Sequence, residues 1–338
     1  MLKKKKYYSI IILFSFLLSY EVGDMLAPST QNTEYSICYG SQLDPDNDGV
    51  FKFSEYNGDL NGGNYYVIFL EMGASWWPAC FSSLSSFDNV VQQWEENENV
   101  LVFQSLGDLN EPYSCDDWGN EAVSGIPLII DDTGLPVFGM FHTENLLPSS
   151  VFIDHTMTVY YKEAGFDGET AANKIQNMLD NLYSTPIIAA NSQVLLDNEI
   201  DNDGVLNPGE GFSVEFSITN NSFETDVFDA VATLTIDAGG NVLSDAVLNL
   251  GDISLSESIN VDYDVLLDLS VAFGDFDLLM TFTADYINSV GELDSFSKTV
   301  SFSVNISLNQ VGFPITTAEL RSSPLVIDLD SDGDLEII

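Results

Sequence analysis

The first half of the chain alternates between two kinds of hydrophobic pattern. Residues 65 to 70 (YYVIFL) and 100 to 106 (VLVFQSL) are largely apolar runs of the kind buried on both faces of a sheet. Between them Leu84, Phe87, Val90, Val91 and Trp94 recur at spacings of three and four, which predicts a helix over residues 80 to 96 with one apolar face. Shorter runs at 128 to 130, 151 to 154 and 158 to 161 read as strands, and Ile175, Met178, Leu179 and Leu182 share one side of a second helix starting near residue 169. The order is that of a compact α/β domain over residues 35 to 183.

After the linker-like Ser184-Thr185-Pro186 the period becomes two. Val214, Phe216 and Ile218 alternate with polar residues, as do Ile259, Val261, Tyr263 and Val265, and Val300, Phe302, Val304 and Ile306. Gly- and Asp-rich turns separate these runs, and no amphipathic helix interrupts them, which predicts a β-sandwich over residues 187 to 307. Residues 308 to 338 are too few for a domain and end on the apolar Leu335-Glu336-Ile337-Ile338, as if a longer protein continued.

Charge narrows the partners. The chain has 338 residues with 53 acidic against 9 basic side chains, a net charge of -44, and four of the nine basic residues form the run Lys3 to Lys6. Such a field repels a nucleic-acid backbone or an anionic lipid surface. A hydrophobic fraction of 45% with 12% aromatics excludes an acidic disordered chain. The lysine run is followed by an apolar stretch from Ile10 to Leu18, too short to span a bilayer, so residues 1 to 20 read as a secretory signal, with an N-terminal membrane anchor as the alternative. Either places the remainder outside the cytoplasm, and no later segment is long and apolar enough to span a membrane. There Cys38, Cys80 and Cys115 allow one disulfide, with three pairings open.

Residues 64 to 84, NYYVIFLEMGASWWPACFSSL, resemble the thioredoxin-like superfamily, in particular its secreted thiol-disulfide and peroxiredoxin-related branches. Ala74-Ser75-Trp76-Trp77-Pro78-Ala79-Cys80 stands in place of the family's Phe-x-Ala-x-Trp-Cys-x-Pro-Cys motif. Leu147-Pro148-Ser149-Ser150-Val151-Phe152-Ile153-Asp154 resembles the family's cis-proline loop, and Gly165 falls where its last hairpin closes. The resemblance implies a thioredoxin-like fold, with Pro148 as the cis residue facing Cys80. The chemistry departs from the pattern, because Trp77 fills the nucleophile's position and the one arginine, Arg321, lies far outside the domain that would need it to hold a peroxide. Three readings of Cys80 follow: a thiol in a module without redox activity, a nucleophile resolved by Cys115 should residues 113 to 118 fold back over the helix start, or half of a structural disulfide. A helix N-terminus lowers a thiol pKa, and nearby carboxylates raise it.

Asp-x-Asp-x-Asp-Gly spacing, which wraps alternate oxygens around a hard cation, occurs three times in close form. The first loop has Asp44, Asp46, Asp48 and Gly49 with Glu55 at the twelfth position; the second has Glu199, Asp201, Asp203 and Gly204 with Glu210 at the twelfth. The third, Asp328, Asp330, Asp332 and Gly333 followed by Glu336, resembles the start of an FG-GAP repeat, the calcium-loop unit of integrin-like β-propellers. For the first two a plain turn is the competing reading. Calcium is the expected ion; no spacing suits zinc, haem or a nucleotide, and His142 and His155 read as ordinary surface or edge residues. No nucleophile and base for a hydrolase stand out. The expected architecture is therefore multidomain: a thioredoxin-like α/β unit, an all-β immunoglobulin-like sandwich and a truncated propeller repeat. The expected function is a calcium-stabilised surface or secreted protein that binds a protein or glycan, the alternative being an extracytoplasmic thiol-disulfide oxidoreductase or antioxidant using Cys80 with Cys115.

Overall fold

The computed structural model describes residues 19–109, 112–121, 128–195, 204–236 and 238–307, together with the backbone at 326–327 and 336–337. The chain divides into two compact units. One comprises Met1–Thr185 with Ser222–Thr225 and Ile287–Glu292; the other comprises Pro186–Asn221, Asp226–Tyr286 and Leu293–Ile338.

The first unit is built on seven strands: β1 (Tyr35–Tyr39), β2 (Val50–Phe51), β3 (Val67–Gly73), β4 (Val100–Leu106), β5 (Ile129–Asp131), β6 (Ser149–Ile153) and β7 (Val159–Ala164). Their order is β2-β1-β5-β4-β3-β6-β7. Among the described residues five α-helices accompany them, α1 (Pro28–Gln31), α2 (Pro78–Trp94), α3 (Cys115–Gly119), α4 (Pro136–Phe141) and α5 (Gly168–Ser184), with short 3-10 helices at Ser41–Leu43 and Phe53–Tyr56. Strand β3 runs parallel to β4, through the crossover α2, and antiparallel to β6, which turns back into β7 before α5. That arrangement is the thioredoxin-like fold.

Every residue of β3 is buried, and its alternate side chains serve opposite faces. Ile68, Leu70 and Met72 join Phe51, Phe53, Phe103 and Phe141 in one core cluster. Phe69 turns the other way, with ring centroids 4.6 Å from Phe152 and 5.7 Å from Phe87 of α2. Burying each such ring contributes about 2 kcal/mol. Glu71 has the same parity as Phe69, so the alternation delivers a carboxylate beneath α2.

Several local features differ from the sequence expectation. Strand β3 starts later and runs on to Gly73, and α2 begins two residues early with Pro78 in its first turn, where the missing N–H costs nothing. The hairpin of β6 and β7 closes at residues 154 to 158, whereas Gly165 follows β7. Residues 19 to 34 belong to this unit: Gly23 N–H donates to Val159 O (2.8 Å), Leu26 N–H donates to Met157 O (2.9 Å), and Leu26 is buried. His155, expected as a surface or edge residue, is 7% exposed. Residues 1 to 18, which carry most of the expected signal, lie outside the described residues. No helix among the described residues is long and apolar enough to cross a membrane.

The second unit pairs two four-stranded sheets. Strands β8 (Ile188–Leu195), β9 (Gly211–Asn220), β11 (Gly240–Val242) and β13 (Ser258–Leu267) form one, in the order β11-β13-β9-β8. Strands β10 (Val227–Ile236), β12 (Val247–Ile253), β14 (Gly274–Ile287) and β15 (Leu293–Ile306) form the other, in the order β12-β10-β14-β15. The period of two is realised: Phe212, Val214, Phe216 and Ile218 from one sheet meet Leu278, Met280 and Phe282 from the other in a single core. Two further short strands, β16 (Val326–Ile327) and β17 (Glu336–Ile337), pair antiparallel.

Candidate functional site

The turn after β3 carries the residues that stand in for a redox motif. Trp77 N–H donates to Ala74 O (3.1 Å), Trp77 is the N-cap of α2, and Cys80 follows in the first turn. That turn aims Cys80 inward: the residue is 2% exposed, and a Cβ placed on Gly73 would lie 3.5 Å from its Sγ. Burial pushes the Cys80 thiol up to about 12, reinforced by the charges of Glu71 and Asp108 and opposed by a backbone hydrogen bond at Ala74. The effect expected from the helix N-terminus loses to desolvation.

The other two cysteines are spent on each other. Cys38 of β1 and Cys115 at the start of α3 form a disulfide with Cα atoms 6.0 Å apart. This corrects the pairing of Cys80 with Cys115. The segment around Cys115 does fold toward α2, but it brings aromatic rings instead of a thiol: Tyr113 stacks on Phe81 at 5.9 Å, and Trp118 meets Phe81 at 6.2 Å. Cys80 is the one free cysteine, and it is buried.

Beneath α2 lies a polar chain that sequence reasoning passed over. Glu71 is 1% exposed; Ser83 Oγ donates to its Oε1 (2.9 Å) and Gln104 Nε2 donates to its Oε2. Gln104 Oε1 in turn accepts from Trp118 Nε1 at 2.8 Å. Burial raises the Glu71 carboxyl to about 7 against the opposing hydrogen bonds from Gln104 and Ser83. The available signal was a single acidic residue inside the apolar run FLEM. Asp108, after β4, holds the turn by accepting from Ser75 N–H (2.8 Å) and Ser75 Oγ (3.1 Å).

The Leu147-Pro148 peptide is cis. Pro148 lines a surface hollow of about 350 Å³ with Ala79, Ser82, Ser83 and Phe166, so it faces the first turns of α2. Facing solvent at the motif are Trp76, Trp77 and Phe81, 55%, 42% and 44% exposed, with the two indoles 5.3 Å apart.

Comparison with known proteins finds solved structures similar to part of the chain. These include Mycobacterium tuberculosis DsbF in mixed oxidized and reduced forms, at 15% identity and TM-score 0.33, covering 45% of this chain and 99% of that one. A PrxQ mutant of Xylella fastidiosa is 13% identical over 48% of this chain and 99% of its own, with TM-score 0.37. The exposed lipoprotein thioredoxin Etrx1 of Streptococcus pneumoniae is 16% identical over 42% of this chain and 98% of its own, with TM-score 0.31. No family model matches the chain, and no curated protein matches it. The fold assignment rests on the strand order and directions given above.

The acidic loops fare unequally. Asp44, Asp46 and Asp48 converge, one carboxylate oxygen of each lying within 4.8 Å of the others. Glu55 is turned to Lys52, whose Nζ lies 2.7 Å from its Oε1. In the second loop Glu199, Asp201 and Asp203 lie outside the described residues, and Glu210 accepts from Asn207 N–H at 2.9 Å. In the third, Asp328, Asp330 and Asp332 lie outside them, as does the side chain of Glu336.

Proposed function

We propose that this is an exported, modular, acidic binding protein whose thioredoxin-like unit serves as a scaffold without thiol-disulfide exchange. Its second unit is taken as an immunoglobulin-like sandwich and residues 308 to 338 as the start of an FG-GAP repeat, with calcium stabilising the acidic loops. The observation that carries this reading is the state of the cysteines: Cys80 is buried with its thiol raised to about 12, and Cys115, the required resolving partner, is bonded to Cys38. Exchange needs an accessible thiolate and a second thiol to resolve the mixed disulfide. The exposed Trp76, Trp77 and Phe81 supply an aromatic surface suited to a protein or glycan ligand. Incubation with glutathione disulfide tests the reading. The scaffold keeps Cys80 unmodified, and a mixed disulfide at Cys80 contradicts it.

One observation favours a second reading, an extracytoplasmic thiol-disulfide oxidoreductase or antioxidant. Glu71, raised to about 7, is a buried carboxyl whose charge acts on Cys80, and in that reading it would serve as the proton acceptor for the thiol. That reading requires the start of α2 to open, and it predicts that Cys80→Ser and Glu71→Gln both abolish exchange with a disulfide substrate.

A further inference from the structure

We infer that the loop from Asp44 to Glu55 is a calcium site in which the Lys52 ammonium occupies the outer half of the cluster and leaves when the ion binds. The inference rests on the calcium part of the reading above and narrows it to one loop; it is independent of the chemistry of Cys80.

Two observations point to an ion. The first is the convergence of Asp44, Asp46 and Asp48, whose oxygens lie within 4.8 Å of one another. That span is what two calcium–oxygen bonds of roughly 2.4 Å allow across one ion. The second is an orphan acceptor. Asp44 is 5% exposed; its Oδ2 accepts Gly49 N–H at 2.7 Å, while its Oδ1 is buried with no hydrogen-bond partner. A buried carboxylate oxygen without a donor is completed by an ordered water or a cation, and with two further carboxylates converging on it the cation is the completion that also offsets their charge.

Lys52 does not supply that completion. Its Nζ lies 2.7 Å from Glu55, 3.3 Å from Asp48 and 3.9 Å from Asp46, and it forms no ion pair with Asp44. One ammonium therefore pairs with three carboxylates, those of Asp46, Asp48 and Glu55, and leaves the innermost, Asp44, unserved. Departure of Lys52 to solvent releases Glu55 Oε1, the oxygen at the twelfth position of the loop, while Glu55 Oε2 stays anchored on the Lys52 backbone N–H at 3.1 Å. The backbone already has the required bend, since Gly49 at the sixth position has φ +79°, a region open to glycine. An all-oxygen donor set on an irregular loop suits calcium over magnesium, which demands near-octahedral geometry.

The test is hydrogen-exchange mass spectrometry on the full chain with chelator, with magnesium, and with calcium at about 1 mM, the range of extracellular calcium modules. Peptides covering residues 41 to 56 gain protection with calcium alone. Asp46→Asn and Asp48→Asn, both at exposed positions, lose that protection and weaken calcium binding about tenfold or more, whereas Lys52→Met binds severalfold more tightly because the competing ammonium is gone. Unchanged exchange over 41 to 56 overturns the site; if residues 199 to 210 or 328 to 336 respond in the same experiment, the wider calcium reading survives and this loop alone falls. Protection in the wild type with no tightening in Lys52→Met overturns the exchange of lysine for calcium.

Discussion

The start of α2 and the loop from Asp44 to Glu55 lie in the same unit and handle their reactive groups in opposite ways. At α2 the sequence resembles a redox motif, yet the groups that could do chemistry, Cys80 and Glu71, are withdrawn into the interior and the exposed surface is aromatic. At the loop no resemblance to thioredoxin-like proteins points to a site, yet three carboxylates converge with one oxygen left unsatisfied. A motif locates a place in the fold; burial and partnership decide what that place can do. The disulfide touches both regions, since Cys38 lies on the strand leading into the loop and Cys115 lies three residues before Trp118, which reaches Glu71 through Gln104.

Removing that shared tie is the largest perturbation. Replacing Cys38 and Cys115 together by serine releases a closure of 77 residues and costs about 4.5 kcal/mol in the chain-entropy estimate, measured by denaturant unfolding. An unchanged midpoint would separate the two regions energetically and break the comparison at its root.

Glu71 sets the next effect, with a defined sign. Its folded-state pKa is raised from 4.5 to about 7, so between those values the native protein holds a proton that the unfolded chain has released. Stability therefore falls as pH rises from about 4.5 to about 7 and then levels, by about 3 kcal/mol in full. Glu71→Gln removes this decline. Asp132, raised to about 6 chiefly by burial, contributes a smaller decline of the same sign that the variant retains, so the measurement is the difference between the two pH profiles.

Cys80→Ser is smaller still. A hydroxyl in that buried position costs about 1 to 2 kcal/mol of stability, while ligand capture stays intact in the scaffold reading. The smallest effect belongs to Trp76→Ala and Trp77→Ala: at more than 40% exposure each changes stability by about 0.5 kcal/mol or less, and a pronounced loss of melting temperature would show that the aromatic face is structural.

The central strands β3 and β4 were legible from the sequence because they are long apolar runs, and α2 and α5 because they carry clean spacing of three and four, whereas β1 with its mixed pattern and the two-residue β2 were not. The sandwich was legible from its period of two. Short helices such as Cys115–Gly119 and Pro136–Phe141 were not, since one turn or so cannot display a period. The cysteine pairing was invisible for a different reason: Cys38 and Cys115 are neighbours only because β1 joins the sheet beside β5. Glu71 could be read as polar but not as buried beneath α2, because the face it serves is set by the partners of β3. The convergence at Asp44 was legible as spacing, whereas the role of Lys52 needed the coordinates of four side chains at once.

The most direct test of the central claim is differential alkylation of the unreduced, native protein at pH 8, followed by peptide mass spectrometry. With its thiol at about 12, only about one Cys80 in ten thousand is ionised at that pH, and burial blocks the reagent further. The account predicts a linked Cys38–Cys115 peptide and a Cys80 that is labelled only after unfolding. Rapid labelling of Cys80 in the native protein, or a peptide linking Cys80 to Cys115, would contradict it.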